Sequence, residues 1–249
     1  MGTHTELFTQ LKTLKLSGIS ENLELRLMEA GQNQLSYSQF LSIVLGDELE
    51  TRNSRKLQRL IQNARLGSEK TLETFDLSFN PSINAAHIRE LATCRFVERG
   101  EGIFFTGPTG TGKTHLVKAL LHAACRKHFT AAFYPFHTFF DELGEADLNN
   151  KLDKLMKKLI KVDVLAIDDF GFKKLDQLST EYLYAIVDAR YSVKSMILTS
   201  NKAINDRASI FPDPFMANAI MDRLAHHSHH IVIKGESYRK KYTPKFENA

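Results

Sequence analysis

The sequence predicts a parallel α/β sheet preceded by a small all-helical domain, and three observations carry that prediction. From residue 103 onward, short apolar runs alternate with stretches of helical periodicity, the pattern of parallel strands joined by covering helices. Before residue 67 the apolar residues recur at helical spacing instead. Between a strand pattern and a helix pattern stands a glycine-rich run, residues 107–114.

Taken in order, residues 5–66 read as helical. Leu7, Leu11 and Leu14 share a face, as do Ile19, Leu23 and Leu27. Ser36 and Gln39 have the spacing of a capping box, in which two side chains satisfy free amides at a helix start. Phe40, Leu41, Val44, Leu45 and Leu49 follow on one face. Leu57, Leu60, Ile61 and Ala64 then stay apolar while arginines take the other faces. The pattern loosens at Gly67 and Ser68, and residues 75–81 read as a connector. The expected domains are therefore residues 1–68 and 69–249. In the second, the expected strands are 103–106, 131–134, 162–167, 195–199 and 230–233. The expected helices are 113–128, 136–144, 149–161 and 178–191.

Composition bounds the partners. Apolar residues make up 43% and charged residues 25% of 249, the balance of a soluble globular protein. No apolar run reaches the roughly 20 residues that span a bilayer, so no membrane association is expected. The N-terminus lacks the apolar core of a signal peptide. Cys94 and Cys125 are too far apart in sequence for a CxxC motif, which points to a reducing cytoplasm. The net charge of +4 is unevenly spread. Residues 50–70 hold six basic residues against two acids, residues 151–161 five lysines against one acid, and residues 234–245 five basic residues against one acid. Such patches suit a polyanion, and equally suit solvated helix faces.

The glycine-rich run is Gly107, Pro108, Thr109, Gly110, Thr111, Gly112, Lys113 and Thr114. It has every fixed position of a Walker A loop, in the strand-to-helix setting that loop requires. Backbone amides there converge on phosphate oxygens, and the helix N-terminus adds a favourable dipole. Lys113 is expected to reach the β- and γ-phosphates of ATP and Thr114 to ligate Mg²⁺. The strand at 162–167 ends in Asp168 and Asp169, as a Walker B strand does. Asp168 is expected to hold the metal and Asp169 to orient or deprotonate the attacking water. Asp169-Phe170-Gly171 spells a kinase motif, but its companion motifs are missing. Asn201-Lys202 begins a guanine-recognition motif that fails at Ile204, so ATP is preferred over GTP. Asn201, after the fourth strand, is a candidate to bond the water or the γ-phosphate, or is a simple turn residue. Arg223 is a candidate to neutralise phosphoryl charge from a neighbouring subunit, or pairs with Asp222 or another acid. His226, His227, His229 and His230 are expected on a solvated or phosphate-contacting loop rather than a metal site.

These residues carry a resemblance. Lys70-Thr71-Leu72-Glu73-Thr74-Phe75-Asp76, residues 107–116, residues 165–171, Thr199-Ser200-Asn201, Asp222-Arg223-Leu224 and Gly235-Glu236-Ser237-Tyr238-Arg239 together resemble the IstB family. These are ATP-binding helpers of insertion-sequence transposition, related to DnaC-type helicase loaders among the AAA+ ATPases. Residues 11–16 and the helices after them resemble that family's leading domain. The resemblance implies an AAA+ P-loop NTPase with a five-stranded parallel sheet in the order 5-1-4-3-2. It implies ATP hydrolysis, a homo-oligomer with ATP sites between subunits, largely sequence-independent binding to duplex DNA, and a partner transposase. It makes Asn201 a first sensor, Arg223 an arginine finger and Arg239 a second sensor near the phosphates. Arg52, Arg55, Lys56 and Arg59, on the basic helix of the leading domain, become the DNA contacts. The family's Walker B often ends Asp-Glu, whereas this chain has Asp168-Asp169. The expected function is an ATP-dependent helper that assembles on duplex DNA and activates or targets a transposase. The alternatives are a DnaC-like helicase loader and a nucleotide-gated scaffold with negligible turnover.

Overall fold

The computed structural model describes residues 2–67, 70–201 and 209–238, without the side chains of residues 2–4. The chain divides into two compact units, residues 1–59 and 60–249.

The first unit is helical: α1 (Gly2–Thr13), α2 (Ser17–Gln32) and most of α3 (Tyr37–Asn63). The capping box forms at the start of α3. The Ser36 amide donates to Gln39 Oε1 at 2.9 Å, and the Gln39 amide donates to Ser36 Oγ at 3.3 Å. Leu11, Ile19, Leu23 and Val44 are buried together, with Phe8, Leu16 and Phe40 packed around them. Gly18 lies against the backbone of α3 at Asp47 and Glu48, so closely that a side chain there would collide. The carboxylate of Glu48, buried on α3, accepts from the amides of Gly18 (2.7 Å) and Ile19 (3.3 Å). It supplies a partner for the free amides that open α2.

The second unit adds α4 (Ala85–Leu91), α5 (Arg95–Glu98), β1 (Gly102–Thr106), α6 (Lys113–Arg126), β2 (Ala131–Pro135), α7 (Phe136–Leu148), α8 (Leu152–Lys161), β3 (Val164–Asp168), α9 (Gln177–Arg190), β4 (Ser195–Ser200), α10 (Pro214–Ala225) and β5 (Ser228–Val232). All strand pairings are parallel, in the order β2-β3-β4-β1-β5. This is the expected 5-1-4-3-2 order read from the other edge.

Successive residues of a strand face opposite sides of a sheet. Phe104, Leu165, Ile167, Met196 and Leu198 face one side, where Phe139, Leu143, Leu159, Leu183, Ile186 and Ile220 from α7–α10 complete a continuous core. Ile103, Phe105, Val164, Ala166 and Ile197 therefore face the other side, and α6 packs against β2, β3 and β4. By the same alternation Asp168 and Thr199 fall on the α6 side.

Several elements depart from expectation. The helix expected to stop at Gly144 runs on to Leu148, and Gly144 is not among the glycines at positive φ that would end it. The turn falls at Asn150 instead, with φ +54°, and the next helix starts at Leu152 rather than 149. α10 carried no expectation, although Asp213 caps it by accepting from the Phe215 amide (2.8 Å) and Pro214 opens it. Of the histidine run, His229 and His230 lie in β5, while His226 and His227 form the turn before it. His229 bonds Glu101 (3.0 Å), and His230 stacks on Phe104.

Candidate nucleotide site

The P-loop leaves β1, which lies between β4 and β5, and enters α6 through Gly112 at φ +97°. Thr111 Oγ1 donates back to the Pro108 carbonyl at 2.9 Å. Lys113 is nearly buried, and its ammonium donates to the carbonyls of Gly107 and Pro108, both at 2.7 Å. The ammonium thus lies across the loop, against the carbonyls it would have to leave for a phosphate oxygen.

Thr114, on the first turn of α6, donates its hydroxyl to Asp168 at 2.8 Å. Asp168 ends β3 and is buried, and Thr199 of β4 donates to its other oxygen at 2.6 Å. One carboxylate thus joins the tips of β3 and β4 to the P-loop helix. A hydroxyl and a carboxylate side by side are hard oxygen donors, the set that suits Mg²⁺ retaining several waters. The site residues Thr114 and Asp168 therefore fit the metal expected of them. Thr199 was not among the candidates. Thr199 is one of three polar residues in the fully buried β4, and the partner that explains it is 31 residues away.

Asp169 follows β3, exposed, with its backbone at φ +57°. Its amide donates to Thr199 Oγ1 at 2.8 Å, so Thr199 holds both acids. The left-handed region costs most side chains about 1–2 kcal/mol, and Asp is among those that enter it most readily. That geometry gives a physical reason for Asp, rather than the longer Glu, at the second acidic position. Asn201 is exposed and directly follows β4, the strand between β1 and β3. Arg239 lies outside the described residues.

Residues 9–245 match the family described as "IstB-like ATP binding protein". The chain belongs to that family. Among the IstB-like relatives, the "Insertion sequence IS21 putative ATP-binding protein" of Pseudomonas aeruginosa is 38% identical over 95% of this chain and 89% of its own. The "Insertion sequence IS5376 putative ATP-binding protein" of Geobacillus stearothermophilus is 40% identical over 84% of each. Among solved structures, the DnaC helicase loader shares 27% identity over 67% of this chain and 98% of its own, with a TM-score of 0.60. The replication initiator DnaA bound to AMPPCP and single-stranded DNA shares the fold, at 20% identity over 69% of this chain and 51% of its own, with a TM-score of 0.59. The fold of this IstB-like chain is thus that of AAA+ proteins.

Among the remaining candidates of the IstB-like chain, Arg223 sits apart from its own P-loop. Arg223, on α10, pairs through Nε with Asp188 of α9 at 3.0 Å, donates to the Ala219 carbonyl, and lies over the Tyr184 ring. It borders a small cleft shared with Gly100 and Gly102, where β1 begins. The P-loop starts where β1 ends, about 16 Å away for a five-residue strand. Of the four arginine-helix candidates, Arg52 pairs with Glu48 at 2.6 Å, and Arg55 bonds Ser17 and Glu21. Lys56 and Arg59 are exposed. Lys151, which precedes α8, and Lys154, Lys157, Lys158 and Lys161 on it are exposed, while Leu152, Leu155, Met156 and Leu159 turn to the core. No helix among the described residues is long and apolar enough to cross a membrane.

Proposed function

We propose that this chain is an ATP-hydrolysing helper of insertion-sequence transposition, which assembles with ATP on duplex DNA and engages a transposase. One observation carries the reading: Asp168 is held by Thr114 of the P-loop helix and Thr199 of β4. That brings the three elements an ATPase needs to one point at the carboxyl ends of parallel strands. Thr114 and Asp168 would hold Mg²⁺, which supplies charge neutralisation on the phosphates. Lys113 binds the β- and γ-phosphates. Asp169 takes the proton of the attacking water, and Asn201 orients that water or the γ-phosphate.

Arg223 lies at the opposite end of β1 from its own P-loop, so its service to phosphate is to a neighbouring subunit's site. That geometry supports an ATP site completed by assembly. The exposed α8 lysines, with Lys56 and Arg59, supply phosphate contacts that read no sequence. Arg52 and Arg55 are engaged within their own unit and contribute less than the sequence suggests. The helper is favoured over a helicase loader because the family match runs from residue 9 through the helical unit, whereas the loader likeness covers 67% of the chain.

The test is single-turnover hydrolysis with duplex DNA present. Asp169→Asn is expected to bind ATP but hydrolyse it about 10²–10⁴-fold more slowly, the usual contribution of a positioned base. Lys113→Ala is expected to lose ATP binding and ATP-dependent assembly together. Equal hydrolysis by wild type and Asp169→Asn would remove Asp169 from its role. No turnover in either would favour a nucleotide-gated scaffold.

A further inference from the structure

After β5 the chain returns along the P-loop. The Ile233 amide donates to the Thr106 carbonyl at 2.7 Å, and the Tyr238 amide donates to the Gly110 carbonyl at 2.9 Å. A side chain on Gly107 would collide with the Ile233 carbonyl, and one on Gly110 with the Ser237 hydroxyl. A second strap, residues 71–82, covers the other end of the loop. The Phe75 ring lies where a side chain on Gly112 would have to go, and packs edge-on against His115 with ring centres 5.0 Å apart. His115 Nε2 lies 2.9 Å from the Thr71 carbonyl.

The two straps are tied to each other. Asn80, nearly buried, donates from Nδ2 to the Lys234 carbonyl at 2.7 Å. Ser82 donates to the same carbonyl (3.1 Å), and its hydroxyl accepts from the Lys234 amide (2.9 Å). Phe79 and Tyr238 meet edge to face, with ring centres 4.6 Å apart.

A trans peptide is planar, so its carbonyl and the next amide point in opposite directions. With the Gly110 carbonyl held by Tyr238, the Thr111 amide must point away from the strap. Amide directions within such a loop decide whether it can bind phosphate. We propose that the C-terminal strap, anchored at Lys234 by Asn80 and Ser82, is a positioning device for the P-loop. The surroundings of Tyr238 then change with nucleotide occupancy. This rests on residues 107–114 being an ATP site.

The chain contains no tryptophan, so Tyr238→Trp places a single indole on the strap. Saturating ATP with Mg²⁺ is expected to shift its emission. Asn80→Ala and Tyr238→Pro, which removes the amide donor, are expected to weaken ATP binding about tenfold, the cost of one hydrogen bond. Tyr238→Phe keeps the ring and the amide, and is expected to bind as wild type does. Thermal unfolding without nucleotide separates a loosened strap from a damaged fold. If Asn80→Ala melts early, the emission of Tyr238→Trp, whose strap anchors are intact, decides. Unchanged affinity in Asn80→Ala and Tyr238→Pro, with emission indifferent to ATP, would overturn the proposal. A wild type that binds no ATP would instead overturn the reading of the P-loop, so the two failures are distinguishable.

Discussion

The two units are stabilised by opposite means. The second wraps a five-stranded sheet in apolar side chains, with Phe104, Leu165, Ile167, Leu183, Ile186 and Leu198 all nearly inaccessible. The first buries Leu11, Ile19, Leu23 and Val44, yet leaves Leu14, Met28, Tyr37, Leu41, Leu45 and Leu49 exposed. It relies on charge instead: Glu48 holds the start of α2, and Arg26 bridges to Asp47 at 2.8 Å. Its exposed pair, Arg55 with Glu21, contributes only about 0–1 kcal/mol. A 59-residue helical unit so built is therefore expected to open before the sheet. The P-loop sits in the unit expected to open last.

The contrast is broken most severely at the least accessible charge among the described residues of the second unit. Arg190 of α9 is almost inaccessible, and donates to the carbonyls of Leu159 (2.6 Å), Val162 (2.7 Å) and Ser195 (2.6 Å). It ties the end of α8 to the amino ends of β3 and β4. Burial pushes its guanidinium below the usual range, and nearby Asp163 opposes that shift. Arg190→Met strands several buried acceptors and is expected to cost about 3–5 kcal/mol. Denaturant unfolding followed by thiol labelling would report it. Cys94 and Cys125 are buried in this unit, and burial raises both thiols to about 11. They react when the sheet opens and ignore the helical unit. Early labelling in Arg190→Met is the expected result, and wild-type labelling would mean the guanidinium is dispensable.

Arg190 also marks where sequence reading stops. The strands and the glycine-rich run were legible because each pattern is contiguous and sits where apolar periodicity changes, whereas the strand order came only from the family resemblance. Asp168 and Thr114 could be paired in advance because a metal explains both. Thr199, Arg190 and Glu48 were not legible, because each meets partners about 30 residues away and no local pattern records the meeting. The Arg55 partners are distant too, whereas Arg52 meets Glu48 one helical turn away. In sequence these two arginines are a basic cluster, while in the fold Glu48, Glu21 and Ser17 engage them. The end of α7 was misplaced because Gly144 resembles a stop signal, yet nothing there needs its freedom.

Glu48 gives the corresponding break in the first unit. Glu48→Ala leaves the amides of Gly18 and Ile19 without their acceptor, at an expected cost of about 1–3 kcal/mol confined to the helices. Circular dichroism should show earlier helix loss with unchanged thiol labelling. Acid makes the same cut without a mutation. Burial raises the Glu48 carboxyl, but bonds from Arg52 and from the Ile19 and Gly18 amides outweigh it, so its pKa lies below the ordinary 4.5. A carboxylate depressed in the fold contributes its full stability above the unfolded pKa. That contribution is lost as pH falls through the folded value. Helix loss preceding thiol exposure is expected as pH drops below the ordinary carboxylate range, and simultaneous loss would show that the units unfold as one.

The finest cut compares two neighbours on α3. Val44 is 4% exposed among Leu11, Ile19 and Leu23, whereas Leu45 is 46% exposed. Val44→Ala removes two methyls from a small core and is expected to cost about 2 kcal/mol, since few side chains surround the gap to collapse into it. Leu45→Gln exchanges surface for surface and is expected to stay within about 0.5 kcal/mol. Tyr37, Leu41, Leu45 and Leu49 recur every four residues, so one face of α3 carries an apolar stripe beside the buried one. If Leu45→Gln destabilised the isolated chain as much as Val44→Ala, that stripe would belong to the core. The contrast between a sheet that covers its apolar surface and helices that leave theirs open would then fail. Thermal unfolding of the two variants side by side decides it, with no ligand or partner present.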